Sequence, residues 1–332
     1  MLNSSQPLQT VSSPTSGRTA PPPPATKSAE HDLFARCEII HVVKDVLDTL
    51  SGVEKDAGVT LLLLSHGIKL TVVKESKVVL AHAFLQAALF TEYSIREEGI
   101  RFTVSLPILS ECISLFGSGS SSSSSSSSSA AAAAAASSAT SSSGSSGAGL
   151  VLSQGGEGEP LVLRLDEAGV VTECAIRTLL SEDPINFVFA TSDVRAKAIV
   201  TSNAIHDALY EMEGMAPIVE IAFHPETETG ALPVLKMGAR GPSGACEIEF
   251  PAGGGASTVV ESFEAIEPLS YLYTSSLLHA SLKALALAAK TSLRVNSAGI
   301  LSLQHMIIRS DHRIFVEFFV SPNEVYDEDG DP

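Results

Sequence analysis

Residues 80–117 read LAHAFLQAALFTEYSIREEGIRFTVSLPILSECISLFG, and the folding of this stretch decides how the rest is read. It is expected to form a long strand over roughly 78–97, a Glu98-Gly99 turn, a second strand over 100–106 and a helix opening at Pro107. In the second strand Ile100, Phe102 and Val104 alternate with Arg101, Thr103 and Ser105, the period of a strand with one buried face. Beyond it Ile108, Leu109, Cys112, Ile113 and Phe116 recur at helical spacing, with Ser110, Glu111 and Ser114 opposite. Pro107 suits a first helical turn and Gly117 a C-cap.

Upstream, residues 33–39 predict a short strand with Phe34 and Cys37 turned inward. A helix over 39–50 carries the stripe Ile39, Val43, Val46, Leu47 and Leu50. Residues 59–67 and 68–76 predict a hairpin turning at Gly67. Downstream, 118–148 is almost pure Ser, Ala and Gly, and no charged residue lies between Glu111 and Glu157. It is expected to be a flexible insertion in a surface loop. A hairpin follows over 160–178. The second half is expected to hold a strand at 186–193, a helix at 202–212, strands at 217–225, 232–240 and 245–251, a strand at 270–274 and a helix at 275–289. Three strands then fill 292–321. The helices centre near residues 44, 112, 207 and 282. With the insertion removed, the unit strand–helix–three strands returns roughly every 64–75 residues. Four such units make two similar domains, each with two helices packed on one side of antiparallel sheets, an α+β plan. The expected organisation is a Ser/Pro-rich tail (1–30), a first domain (31–182) holding the insertion (118–156), a second domain (183–322) and an acidic tail (323–332).

The formal charge is −17 across 332 residues. A protein that coats nucleic acid should be basic, because neutralising phosphates supplies most non-specific affinity. An acidic chain must gather its few bases on one face or bind proteins instead. Cys37, Cys112, Cys174 and Cys246 lie far apart with no C-x-x-C pair, as reduced thiols in apolar surroundings would. No secretory leader or bilayer-length apolar run is evident, so an intracellular soluble setting is expected. No phosphate-binding loop, zinc-protease motif or nucleophile elbow occurs, and no catalytic residue, cofactor or metal is assigned. Glu247 and Glu249 lie two apart on one strand face, where a nuclease could hold Mg²⁺. The competing reading is a solvent face whose Cys246, Ile248 and Phe250 point inward. His82 and His305 are read as strand-surface residues or satisfied contacts.

Two blocks carry a family resemblance. The run AHAFLQAALFTEY through LSECISLFG, and SLRVNSAGILSLQHMIIRSDHRIFVEFFVSPNEV at 292–325, resemble the Rad-one subunit family of the heterotrimeric DNA-damage checkpoint clamp, relatives of proliferating-cell nuclear antigen. The resemblance implies the sliding-clamp fold and a non-enzymatic nuclear subunit. It also implies two other clamp subunits, an ATP-dependent loader, double-stranded DNA threaded without sequence preference, and repair and signalling partners. Helices lining the hole would set Lys44, Arg195, Lys197, Lys283 and Lys290 toward phosphates, while the helix at 107–117 offers only Glu111. The ring would close through residues 109–116 with their neighbouring strand and through the region near 202–240. Phe84 and Met306, in AFLQ and SLQHM, would meet partner peptides. The alternatives are a metal-dependent 3′–5′ exonuclease and a homotrimeric replicative clamp.

Overall fold

The computed structural model describes residues 31–117, 149–167, 170–181, 187, 189–226, 230–242, 244–253, 259–309 and 311–323. The expected tail at 1–30, the tract at 118–148, the boundary at 182/183 and the acidic end beyond 323 lie outside them. The first half runs β1 (Leu33–Cys37), α1 (Ile40–Leu50), β2 (Gly58–Leu64), β3 (Gly67–Val73), β4 (Val79–Gln86), β5 (Glu92–Ile95), β6 (Arg101–Ser105), α2 (Leu106–Gly117), β7 (Leu150–Gln154), β8 (Leu161–Glu167) and β9 (Val170–Ile176). The second runs β10 (Val194–Thr201), α3 (Ser202–Met212), β11 (Ile218–His224), β12 (Val234–Gly241), β13 (Gly244–Pro251), β14 (Val260–Ala265), β15 (Leu269–Thr274), α4 (Ser275–Leu278), α5 (Leu282–Leu287), β16 (Ala288–Asn296), β17 (Leu301–Arg309) and β18 (His312–Val320). Each half thus passes through strand, helix, five strands, helical segment and three strands. The repeating unit expected from the sequence is present, with β5 and β14 added to it.

The long strand expected over 78–97 is two strands meeting at a corner. β4 keeps alternating burial, a 3₁₀ turn occupies Ala87–Leu89, and β5 joins a different sheet. Leu89 and Phe90 are both buried. A regular strand sends successive side chains to opposite faces, so it cannot bury both against one core. The corner is tied by the Ala87 N–H donating to the His66 carbonyl at 2.8 Å. Tyr93 Oη bridges the Leu64 and Gly67 carbonyls at 2.7 and 2.9 Å. Gly67 itself has φ 149°, and a Cβ there would sit 2.2 Å from the Leu85 carbonyl oxygen.

Three antiparallel sheets result, in the orders β5-β1-β7-β8-β9, β14-β10-β16-β17-β18-β4-β3-β2-β6, and β13-β12-β11-β15. The first repeats the order of β14 through β18, and the third repeats the order of β4 through β6. Each half therefore owns the same two sheets. One sheet from each half is fused at a β18–β4 seam, while among the described residues β9 and β13 end their sheets without a strand beyond them. This is an α+β sliding-clamp fold. Helix α1 packs on α2, α3 on α5, and α1 meets α5 across the middle. No side chain caps the start of α1, so its stability rests on burying Val42, Val43, Val46, Leu47 and Leu50, each contributing about 1.5–3 kcal/mol.

Several local expectations need correction. β1 buries Leu33, Ala35 and Cys37 and leaves Phe34 half-exposed, because Cys37 and Phe34 have opposite parity. β7 lies inside the range assigned to the insertion. No strand covers the described part of 186–193, where Thr191–Asp193 is a 3₁₀ turn and the strand begins at Val194. β14 was not foreseen. The helix expected over 275–289 is broken at His279–Ser281, where the Ser281 hydroxyl donates to the Leu278 carbonyl at 2.8 Å, a side-chain competitor for helical carbonyls. Asn323, assigned to a tail, is anchored: its N–H donates to the Leu272 carbonyl at 2.7 Å.

Candidate nucleic-acid face and subunit edges

The helical side carries two of the expected bases. Lys44 of α1 is half-buried, and Lys283 of α5 is exposed with its Nζ 2.8 Å from Ser51 Oγ. On the same side α1 bears Asp45 and Asp48, α2 bears Glu111, and α3 bears Asp207 and Glu211. Asp45 is paired with Arg309 Nε at 2.8 Å, which ties α1 to the end of β17. With Arg309 counted, five acids stand against three bases, and this net-negative face is electrostatically unfavourable to phosphate.

The other three bases are not on it. Arg195 and Lys197 lie in β10, which turns Ala196, Ala198 and Val200 into the core under α3. The two cations therefore point to the opposite side of the sheet. Lys290, assigned to the last helix, belongs to β16 and shares that side. Each is ion-paired: Arg195 with Asp193 at 3.8 Å, Lys197 with Glu264 at 3.3 Å and Lys290 with Glu261 at 2.6 Å.

Phe84 and Met306 fall in one row across three neighbouring strands. Met306 is paired with Phe315 in the β17–β18 ladder, and extending the β18–β4 register by one residue sets Phe315 against Phe84. Phe315 and Ile308 are exposed there, and the His66 ring packs on Phe84 at a 40° tilt with centroids 5.0 Å apart. Next to this apolar row runs a polar one. His82 Nε2 lies 3.4 Å from Glu317, Ser302 Oγ donates to Glu317 at 2.6 Å, and Arg294 is in contact with both Glu317 and Ser302. Burial raises the Glu317 carboxyl, but hydrogen bonds from His82 and Ser302 and the Arg294 charge outweigh it and hold it below the usual carboxylate range. Phe189 covers the Arg294 guanidinium, and Phe319 packs on both Phe189 and His82. Phe315, Glu317 and Arg294 were missed in the sequence; only the cross-strand register between distant segments gathers them.

Glu247 and Glu249 lie on the solvent face of β13, while Cys246, Ile248 and Phe250 turn inward. Both carboxylates hold Lys236 of β12. Hydrogen bonds that Lys236 donates to Glu249 and Glu247 raise the lysine, and the lysine lowers Glu249. A cation already occupies the space between them. Among the described residues no group of three or more His, Cys, Asp and Glu side chains could hold a metal, and no helix is long and apolar enough to cross a membrane.

The open edges differ somewhat from those expected. In α2, Leu109, Ile113 and Phe116 face the core, whereas Ile108 and Leu115 are exposed, as are Val170 and Val171 of the adjacent β9. At the other end of the chain the edge strand is β13, just beyond the region near 202–240. Tyr210 of α3 is also exposed.

Residues 33–307 match the family model described as Repair protein Rad1/Rec1/Rad17. The chain is 31% identical over 296 residues to the mouse (Mus musculus) cell cycle checkpoint protein RAD1, covering 89% of this chain and 95% of that protein. It is 27% identical over 293 residues to the DNA damage checkpoint control protein rad1 of Schizosaccharomyces pombe, with 86% of each covered. It is also 30% identical over 179 residues to the DNA repair exonuclease REC1 of Mycosarcoma maydis, covering 47% of this chain and 39% of that protein.

Proposed function

The chain belongs to the Rad1/Rec1/Rad17 family of DNA-damage checkpoint and repair proteins, and on that premise we propose that it is a non-catalytic subunit of a heterotrimeric ring around double-stranded DNA. The carrying observation is the repeated sheet plan. The chain uses its β18 and β4 once, to join its own halves, and leaves the matching strands β9 and β13 open at its ends. A head-to-tail junction of β9 with a neighbour's β13-like strand repeats the internal seam, and such heterologous contacts close into rings when the rotation allows. By the same correspondence, α2 meets a neighbour's counterpart of α3, which covers Ile108 and Leu115.

In this reading residues 31–182 and 183–322 are the two domains, and an ATP-driven loader places the ring in the nucleus. Lys44 and Lys283 face DNA weakly, and the other subunits supply most phosphate contacts. The row Phe84–Phe315–Met306, with the aromatic cover beside it, receives apolar side chains of repair and signalling proteins. The name of the fungal exonuclease relative favours a second reading, but Lys236 already neutralises the carboxylate pair that a nuclease would need. The test is the mass and stoichiometry of the assembly formed when this chain is co-expressed with two other clamp subunits. An equimolar three-protein ring is expected. A monomer indifferent to both, or Mg²⁺-dependent nuclease activity lost in Glu247→Ala/Glu249→Ala, would overturn the reading.

A further inference from the structure

Equivalent residues in the two halves can be traced strand by strand. Leu179 and Asn323, in the segments that follow β9 and β18, donate backbone N–H groups to the carbonyls of Thr103 and Leu272 at 2.8 and 2.7 Å. Thr103 of β6 and Leu272 of β15 therefore hold the same place. From Thr103 the ladders lead through Thr60 and Thr71 to His82. From Leu272 they lead through Glu220 and Gly238 to Glu247. His82 and Glu247 are counterparts. Counting back equally from Asn323 and Leu179 makes Glu317 and Glu173 counterparts as well.

Inside the chain Glu317 lies opposite His82, whose Nε2 is 3.4 Å from the carboxylate, and Phe315 lies opposite Phe84. Two copies joined by the same rule set Glu173 opposite Glu247 and the exposed Val171 opposite Glu249. Glu247 is held at home by Lys236, Glu173 stands in register with Arg164 of β8, and no base stands between the two acids at the junction. Like charges directly opposite on neighbouring strands are destabilising. We infer that β9 and β13 reject each other and that each accepts a strand from a chain of different sequence, one that places a basic or histidine side chain opposite the glutamate. The edges select a mixed assembly over a self-assembled one. This inference rests on the ring reading and adds the chemistry of the partners to it.

The test uses the full chain alone, by sedimentation velocity at low salt. The wild type is expected to stay monomeric and to gain self-association as salt screens the carboxylates. Glu173→Lys turns the repulsive pair into an attractive one and tightens self-association about 2- to 30-fold per junction. Adding Glu247→Lys restores a like-charge pair and reverses the gain. The register has its own readout. Cys174 corresponds to Phe318 and Cys246 to Ala81, which are paired in the seam. Cys112 of the same chain touches Cys174, so the readout uses Glu173→Lys/Cys112→Ser protein: treated with diamide, which takes up the two thiol hydrogens, its self-associated form should link Cys174 to Cys246 of another copy. A closed homo-oligomer of the wild type, or self-association unmoved by Glu173→Lys, overturns the inference. If a three-protein ring also forms, such a homo-oligomer would leave the ring reading standing. Charge-dependent self-association without any mixed ring would do the reverse.

Discussion

His305 sits at the end of a buried chain of hydroxyl groups. Ser202 Oγ lies 2.7 Å from Thr291 Oγ1, which lies 2.9 Å from His305 Nδ1, and the imidazole is fully buried under α3 and α5. Burial pushes its pKa down to about 3, only weakly opposed by the nearby Glu317 charge. The unfolded chain takes up that proton near pH 6.5, so between about 6.5 and 3 the unfolded state binds more protons and stability falls with falling pH, by at most about 1.4 kcal/mol per pH unit. His305→Gln keeps a partner for Thr291 and removes the titrating site. Denaturant midpoints measured between pH 6.5 and 5 should then show a flatter slope than the wild type; an unchanged slope would mean that another group titrates. Of the two places the sequence allows His305, a strand surface or a satisfied contact, the structure shows the second. The alternation of Leu301, Leu303 and Ile307 marks position 305 as core, but only the ladder to Thr291 explains how a polar ring is tolerated there.

At the scale of elements, the end of α1 comes unusually close to the 3₁₀ break between α4 and α5. A Cβ on Gly52 would sit 2.2 Å from the Ala280 carbonyl oxygen, and the neighbouring Ser51 accepts from Lys283. Because the obstacle is backbone, Gly52→Ala must move one helix away from the other, at a cost typical of overpacking, about 1–3 kcal/mol. The urea midpoint should drop accordingly, and an unchanged midpoint would mean that the two halves are not held together there. This contact joins segments more than two hundred residues apart, and nothing local in the sequence announces it. What was legible is what alternates cleanly and carries large side chains: β6, the β8–β9 and β11–β12–β13 runs, and β16 to β18. β10 was overlooked because Ala-Lys-Ala presents too little apolar bulk beside the aromatic run NFVF. β7 was absorbed into the low-complexity tract it adjoins. Phe84 and Met306 stand out in the sequence only singly, and the row they form is not legible there, since Phe315 enters only through pairing between β17, β18 and β4.

For the whole molecule, the proposed ring makes a prediction about salt: the acids of the helical side would limit what this chain adds to DNA binding. Each phosphate neutralised on duplex DNA contributes about 0.9 to the slope of log K against log salt. Lys44→Ala combined with Lys283→Ala in the assembled ring should therefore lower that slope by no more than about 2, with no preference among sequences. A larger loss would mean that this face, and not those of the other subunits, carries the electrostatic contact.

The sheet order has one more consequence. The internal seam joins two unlike strands, and the open ends present the same unlike pair in the same sense. Any closed assembly continued by that rule lacks a twofold axis in its plane, so it has a front and a back that differ in every exposed turn. Proteins arriving from opposite directions along a threaded duplex would meet different surfaces, and the orientation chosen when the ring is closed would persist until it opens.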